Sequence, residues 1–415
     1  MAGPDCYLIK AAGKPVARIF GMTGEQACAL LCGMSDALRL AFFYAAAFLL
    51  AGISLPFWPV WLTGRGLNAG EVGLVLAVAQ CAKVAVSPLA GLIADRSDRR
   101  RAVMIGFAAI NFTGFLLFVP AHGLWQLLLI NALTTAAASA LLPLGETLTL
   151  GIAYARRLDY GRVRLWGSVS FIVAALAAGA VIGTASSEII LFLLIAAASF
   201  NVLACLLLPA PIAAPTGFVR AGWRHLLFDR RQILFLLAAT AIQASHSVYY
   251  GFGTLQWQAV GYSAQTIGFL WAEGVIAEIV LFAAGSPLLA RLGPSRLLVL
   301  AGAAGVLRWS LMAAAVSLPL LLFAQALHAL TFGAAHLGAM HFMARALPAQ
   351  WSATGQSLYA ATVSGIGFGL VMAASGTLYA AFGAGAYLVM AALAGSGAVA
   401  GIALGRIWRG EVLAG

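Results

Sequence analysis

Residues 188–208 read EIILFLLIAAASFNVLACLLL, and residues 209–231, directly after them, read PAPIAAPTGFVRAGWRHLLFDRR. The first stretch carries no charge after Glu188 and is long enough to cross a bilayer as a helix, which takes about 20 apolar residues. The second breaks that helix with Pro209, Pro211 and Pro215 and then turns basic at Arg220, Arg224, Arg230 and Arg231. An apolar span that runs into a proline-rich, arginine-rich connector is a membrane helix leaving the bilayer on its positive side. Working outward from this junction, six apolar runs lie before it and six after it.

The spans fall near 39–62, 71–94, 102–119, 124–153, 162–184, 188–208, 232–257, 265–290, 297–316, 319–344, 352–380 and 384–406. Turn chemistry separates them, at Gly64–Gly70, Asp95–Arg101, Arg156–Tyr160, Gly261–Ser263 and Gly293–Arg296. Membrane-spanning strands would alternate over about ten residues, and no such pattern occurs. The expected fold is an all-α integral membrane protein of 12 transmembrane helices in two six-helix bundles. A tail over 1–38 precedes the first bundle (39–208). The connector 209–231 leads to the second (232–407), and 408–415 ends the chain. Met34, followed by Ser35, Asp36, Ala37, Leu38 and Arg39, reads as an alternative start.

Composition agrees with this class. Residues of the AVILMFWYC set make up 62% of the 415 residues and charged residues 9%, against about 25% charge in a soluble domain. The mean hydropathy is +0.97. No soluble core hides so much apolar surface, so a soluble enzyme and a nucleic-acid binder are excluded. The net charge of +11 has another origin. With the N-terminus inside, every Lys and Arg except Arg65, Lys83 and Arg308 falls in an inside loop or tail. The positive-inside rule thus puts both termini in the cytoplasm of a cell inner-membrane protein. The five cysteines, at 6, 28, 32, 81 and 205, match no disulfide or zinc spacing. No cofactor or metal is called for.

Ionisable groups inside a span cost about 2.5–3.5 kcal/mol on insertion scales and mark function by default. Here they are Lys83, Glu146, Glu273, Glu278 and Arg308, with His246, His328 and His336. Residues equidistant from a shared loop lie at one depth. Glu146 and Arg164 are each nine residues from Ala155. Glu278 and Arg308 are each fifteen from Gly293, and Arg308 and His328 each ten from Leu318. Glu278, Arg308 and His328 therefore share a level near mid-membrane, and Lys83 is central in its own span. A matched depth permits either a functional pair or an ion pair that only locks two helices together. Glu273 and Glu278 differ by about 140° around their helix, so they cannot both face one cavity squarely. His246, Tyr249 and Tyr250 share a helix face, as satisfied core residues or as the wall of a substrate site.

The loop after the second span, Gly91-Leu-Ile-Ala-Asp95-Arg96-Ser-Asp98-Arg99-Arg100-Arg101, resembles the cytoplasmic signature of the major facilitator superfamily, with Asp98 at the second glycine position. The resemblance implies a gate latch over Gly91, Asp95, Arg96, Arg99 and Arg100, in which Asp95 caps a helix N-terminus or meets an Arg across the bundle. The matching stretch Leu289–Gly293 holds no carboxylate. Pro56–Leu62 and Tyr160–Ser168 are similar to segments of lactose-permease-type proton symporters. In those, the acid at the Glu146 position and the Arg at the Arg164 position bind substrate, and residues at the Arg308 and His328 positions belong to the proton-coupling network. The proton-carrying Glu of that group is Thr331 here, which leaves Glu278 as the nearest replacement.

Longer stretches resemble the 3-phenylpropionate permease group of the same superfamily: Leu158–Ser168, His246–Phe252, Trp257–Ala264, Ala277-Glu278 and Arg308-Trp309. The resemblance implies proton-coupled uptake of a small aromatic monocarboxylate by a monomeric transporter, through alternating access around a midplane site. The implied substrate-binding set is Lys83, Glu146, Arg164, His246, Tyr249, Tyr250 and Trp257. Lys83 or Arg164 would hold the carboxylate, and Tyr249, Tyr250 and Trp257 would face the ring. Glu278, Arg308 and His328 would couple the proton, with Glu146–Arg164 as the alternative switch. A sugar or nucleoside symporter is the main rival. A drug:proton antiporter would carry a Gly-Pro pair in the fifth span, absent from Phe171–Thr184. An intramembrane enzyme has only Gly395-Ser396-Gly397 in its favour, without a His placed beside it.

Overall fold

The structure is a computed structural model, describing residues 34–97, 99–183, 186–210, 228–285, 291–314, 317–348 and 352–413. Most of the expected tail, and with it the stretch before Met34, lies outside them, as does most of the connector 209–231. The described residues are helical with short turns. Among the described residues, eleven helical runs are long and apolar enough to cross a membrane. The last, Gly355–Ile407, has 53 residues, about 80 Å of helix at 1.5 Å per residue against a core of about 30 Å. A turn at Gly383–Gly385 interrupts it, where Gly383 takes φ +53°.

The first part of the chain forms α1 (Asp36–Gly64), α2 (Ala69–Ser97), α3 (Arg100–Leu117), α4 (Leu124–Arg156), α5 (Tyr160–Ile182) and α6 (Glu188–Leu207). Side-chain caps start three of them: Ser35 Oγ accepts from Leu38 N, Asn68 Oδ1 from Glu71 N, and Asp159 Oδ1 from Arg162 N. The later part is more broken. Its first run bends at Ser245-His246 into α7 (Arg230–Ala244) and α8 (Ser247–Ala259). Next come α9 (Ala264–Val280), α10 (Pro294–Ala314), α11 (Leu318–Ala326), α12 (Ala335–Ala346), α13 (Ser352–Tyr359), α14 (Phe368–Phe382) and α15 (Ala386–Ile407). Three π-helical segments interrupt it, Leu281–Gly285, Ala329–Ala334 and Ala360–Gly367. A π turn shifts the side-chain register by one residue and often accompanies a functional site.

Within the first part, α1 packs on α5 and α6, and α4 on α2 and α3. Within the later part, α15 packs on α10 and α7. Among the described residues the most extensive seams between the parts are α2 against α14 and α5 against α9, and glycine makes both possible. A Cβ on Gly179 would stand 2.5 Å from Ala264 O, and one on Gly268 would strike Ala175 O. A Cβ on Gly73 would stand 2.9 Å from Gly376 Cα, and one on Gly376 would strike Ala69 O. These contacts cluster at one end of the molecule. There a single apolar core runs through both parts, from Trp58, Trp61 and Phe171 to Phe252, Trp257 and Tyr387. At the other end each part keeps a separate core, around Phe43, Tyr44 and Leu144 in one and Phe235, Phe342 and Trp408 in the other. The two parts are joined at one end and separate at the other.

Because the obstacle at Gly268 is backbone, a side chain there must push α5 away from α9. Gly268→Val is expected to speed maleimide labelling of a cysteine introduced at Ala175, which is fully buried in the parent. Unchanged labelling would mean that the seam closes around a Cβ.

Candidate functional site

The later part is organised around Arg308, which is fully buried on α10. Its Nη1 donates to His328 Nδ1 at 2.9 Å and to Thr331 Oγ1 at 3.0 Å, and its Nη2 donates to Gln325 Oε1 at 2.9 Å. The guanidinium lies over the rings of Tyr249 and Trp309, 4.7 and 4.6 Å from their centroids. Gln325 Nε2 in turn donates to Tyr249 Oη at 2.7 Å and Leu270 O at 2.9 Å. Arginine offers no acceptor, so His328 Nδ1 must be the accepting nitrogen, and the imidazole is neutral with its proton on Nε2. Thr331 serves the guanidinium as a neutral acceptor. Arg308 and His328 do meet, as their shared depth permits. Among the described residues no carboxylate lies within ion-pair distance of Arg308.

Glu278 does not join this cluster. It lies within electrostatic range of Arg164 on α5, while Glu273 lies within range of Arg308 and Tyr249. The expectation that shared depth would bring Glu278 to Arg308 is corrected here. Equal distance from a loop fixes height, not direction, and the 140° between the two acids turns Glu273 toward α10 and Glu278 toward the first part. His246 is also fully buried, with Nδ1 3.1 Å from Ile242 O and Nε2 3.3 Å from Thr331 Oγ1. Tyr249 and Trp257 are buried with it. Of the expected aromatic wall only Tyr250 is half-buried; it is packed near Trp271 and Phe368. The bend at Ser245-His246 restarts the helix and turns the other rings into the core.

In the first part, Arg164 Nε donates to Glu146 Oε1 at 3.3 Å, and Tyr160 Oη donates to Glu146 Oε2 at 3.1 Å. The guanidinium covers Phe48 and Tyr44, 4.4 and 5.3 Å from the ring centroids. About a third of each side chain of the pair is exposed (30% and 34%), so this pair reaches the space between the two parts. His336 on α12 lies within electrostatic range of both members. Glu278 on α9 and His336 on α12 thus both lie within electrostatic range of Arg164.

Lys83 on α2 has no hydrogen-bond or ion-pair partner among the described residues, and it lines two adjoining cavities. The larger, about 660 Å3, has rings of Phe48, Trp58 and Phe115 in its wall and Ser54, Ser139 and Ser364 around it. The smaller, about 460 Å3, runs between α2 and the segment 356–365, past Ser87, Gln356 and Ser357. Three buried asparagines, Asn111, Asn131 and Asn201, back the larger cavity. They and Gln325 were missed in the sequence. A polar side chain at mid-span was the available signal, and Gln325 stands one turn before His328.

In the signature loop, Gly91 is half-buried on α2, and the side chains of Asp95 and Arg96 lie outside the described residues. Arg99 is the N-cap residue of α3 and Arg100 its first residue. Arg101 Nη2 donates to Leu206 O, tying α3 to α6.

Gln325→Leu would leave the Arg308 Nη2 donor and the Tyr249 hydroxyl without their partner. An orphaned buried group costs about 1–3 kcal/mol, so the variant is expected to unfold at a lower temperature than the parent in detergent, whereas Gln325→Glu should recover much of the loss.

The model of the MFS_1-like family matches residues 37–389. A probable 3-phenylpropionic acid transporter of Escherichia coli (strain K12) is 34% identical over 359 residues, covering 86% of this chain and 94% of that protein. Maltose permease of Geobacillus stearothermophilus is 27% identical over 336 residues, 78% of this chain and 83% of that one. The crystal structure of nucleoside transporter NupG superposes with a TM-score of 0.80 at 18% identity, covering 90% of this chain and 100% of that one. The resemblance to the 3-phenylpropionate permease group holds over most of the sequence. The chain belongs to the MFS_1-like family: it is a membrane transporter of the major facilitator superfamily, not an enzyme.

Proposed function

We propose that this transporter takes up a small aromatic monocarboxylate of the 3-phenylpropionate kind, coupled to protons, by alternating access between two six-helix bundles. The bundles are 39–208 and 232–407, joined by 209–231, with twelve crossings, 408–415 and the N-terminal tail in the cytoplasm, and a monomer in the inner membrane. The turn at Gly383–Gly385 supports counting the last helical run as two crossings, and the basic loops support the orientation. In that orientation the joined end, with its glycine seams, faces outward and the open end inward.

The observation that carries the substrate reading is Lys83, an ammonium without a partner among the described residues, at the edge of a cavity walled by aromatic rings. A carboxylate gives that cation a charge-assisted contact, and Phe48, Trp58 and Phe115 give an aryl group an apolar, polarisable wall. Arg164 is already committed to Glu146, which favours Lys83 as the anchor. The E. coli relative's name points to the same class. Tyr250 of the other bundle is half-buried against Trp271 and Phe368. His246, Tyr249 and Trp257 support it from behind, through their packing with the Arg308 cluster.

For the proton, a carboxyl group on α9 is the carrier, with Arg308 and His328 as the fixed polar frame around which its charge changes. Separating a carboxylate from a guanidinium in a dry interior favours the protonated acid, and bringing them together favours the ion pair. Glu146–Arg164, with Glu278 and His336 in range, forms the switch between bundles. Asp95, Arg96, Arg99 and Arg100, following Gly91, latch the inner end. A second reading, a proton-coupled sugar or nucleoside symporter, draws on the Glu146–Arg164 pair, since a part-exposed acid and guanidinium suit hydroxyl groups. The maltose permease relative carries a sugar in its name.

Purified protein in liposomes is expected to accumulate labelled 3-phenylpropionate when the outside is more acidic, and to ignore maltose and uridine. Lys83→Gln should raise the apparent KM for the acid roughly 10- to 100-fold, the range for losing one hydrogen bond to a charged group. Uptake of maltose or uridine with none of the acid would support the second reading instead.

A further inference from the structure

The larger cavity beside Lys83 has an aromatic wall with amides behind it. Asn111 comes from α3, Asn131 and Thr134 from α4 and Asn201 from α6, and all four line the cavity. Asn111 is 1% exposed and Asn201 2%. A polar group taken into an apolar interior costs free energy unless it is hydrogen-bonded, so each of these side chains must account for its donors and acceptors.

The partners fix which way two of the amides point. Trp58 Nε1 can only donate, so the atom of Asn131 that it reaches at 3.0 Å is the carbonyl oxygen, and Asn131 Nδ2 donates to Val75 O at 3.1 Å. Asn131 has a partner at both ends. Asn111 Nδ2 donates to Thr134 O at 3.0 Å. A main-chain carbonyl can only accept, so the far end of the Asn111 amide is its oxygen, and that Oδ1 is buried with no partner among the described residues. Asn201 Oδ1 and Thr134 Oγ1 are buried without one too. The neighbouring donors are spent, Trp58 on Asn131, Asn131 on Val75, and Ser139 Oγ on Ala136 O. Two carbonyl acceptors and one hydroxyl of this cavity are therefore unmet, and such groups in a folded protein call for an explanation.

Lys83 presents the opposite demand, an ammonium that donates and cannot accept. A ligand that suits the cavity brings a negative acceptor for Lys83 and a donor for the amides. An ionised monocarboxylate supplies the first. A bare phenyl ring has no O–H or N–H and leaves the second unanswered, and a site whose buried polar groups stay unpaired discriminates against the ligand that lacks the matching group. A phenolic hydroxyl answers it: its O–H donates to an amide oxygen, and its lone pairs accept from Thr134 Oγ1. A sugar would set its remaining hydroxyls against Phe48, Trp58 and Phe115, which favours an aryl frame.

We infer that Asn111, Asn201 and Thr134 form a hydroxyl-recognising subsite, and that the preferred substrate is an arylpropionate carrying a hydroxyl on its ring. The inference rests on the aryl-acid reading above and narrows its substrate class. Lys83 holds the carboxylate, the three rings hold the aryl plane, and the amide oxygens read the substituent.

The experiment compares uptake into proteoliposomes of labelled 3-phenylpropionate, its meta- and para-hydroxy derivatives, and the matching methoxy derivatives, which keep the oxygen and lose the O–H. At least one hydroxy acid is expected to show an apparent KM roughly 3- to 10-fold below those of 3-phenylpropionate and of its own methoxy counterpart, the range for one neutral hydrogen bond. Asn111→Leu and Asn201→Leu should each shrink that ratio toward one, whereas residues that only pack the helices would move every KM together. Hydroxy acids that fare no better than 3-phenylpropionate in the parent overturn the inference, as the amides then answer to water alone. A preference that survives undiminished in both variants overturns it too. Should the variants fail to fold, the comparison of hydroxy, methoxy and unsubstituted acids in the parent decides by itself. Uptake of 3-phenylpropionate without any hydroxyl preference leaves the aryl-acid reading standing, whereas a parent that takes up none of these acids removes that reading and the subsite with it.

Discussion

A guanidinium that cannot reach water governs the later half of this protein. Arg308 is fully buried, and taking such a charge out of water costs several kcal/mol even after the surroundings relax. The surrounding residues are selected by what they can accept. His328 presents a bare nitrogen, Thr331 a hydroxyl and Gln325 a carbonyl, while Tyr249 and Trp309 offer ring faces. Two of them are fixed by a further bond, Gln325 to Leu270 O and Trp309 Nε1 to Ser245 Oγ. Tyr249, which a sequence reading assigns to a substrate wall, is held in this shell, and the polar space of the molecule moves to Lys83 and to the Arg164 pair.

Much of this was legible beforehand. Length of apolar runs, proline and arginine in the connector and the side-bias of Lys and Arg define the membrane class, because a bilayer accepts few backbone solutions. The twenty residues between Arg308 and His328, placed symmetrically about a turn, correctly bring them together, and the same arithmetic places Glu146 beside Arg164. It fails for Glu278 because distance from a loop measures depth and says nothing of azimuth. The π-helical segments, which have no composition signal, reset azimuth three times in the later half. Gln325 and the asparagines behind the Lys83 cavity escaped a search restricted to charge, although the cost of an unmet hydrogen bond in hydrocarbon makes any mid-span amide informative.

The two halves spend their polar residues differently. The first keeps a part-exposed ion pair, Glu146–Arg164, at the space between the halves, and a lone ammonium at a cavity. The later half keeps its cation dry and neutral-partnered, with carboxyl groups on either side of α9. A ligand entering between them meets charge on one side and a rigid aromatic block on the other.

The glycine seams have a consequence for how the molecule changes shape. Their close approaches set main-chain oxygens of Ala175, Ala264 and Ala69 against the flat faces of Gly268, Gly179 and Gly376. Contacts of that kind are dispersive, weak one by one and steep with distance. Such a surface holds when its ridges are in register along the whole length and yields little when they are half a turn out. A side chain at any of these glycines therefore acts on the whole length of its seam, because it parts main chain from main chain rather than displacing one side chain.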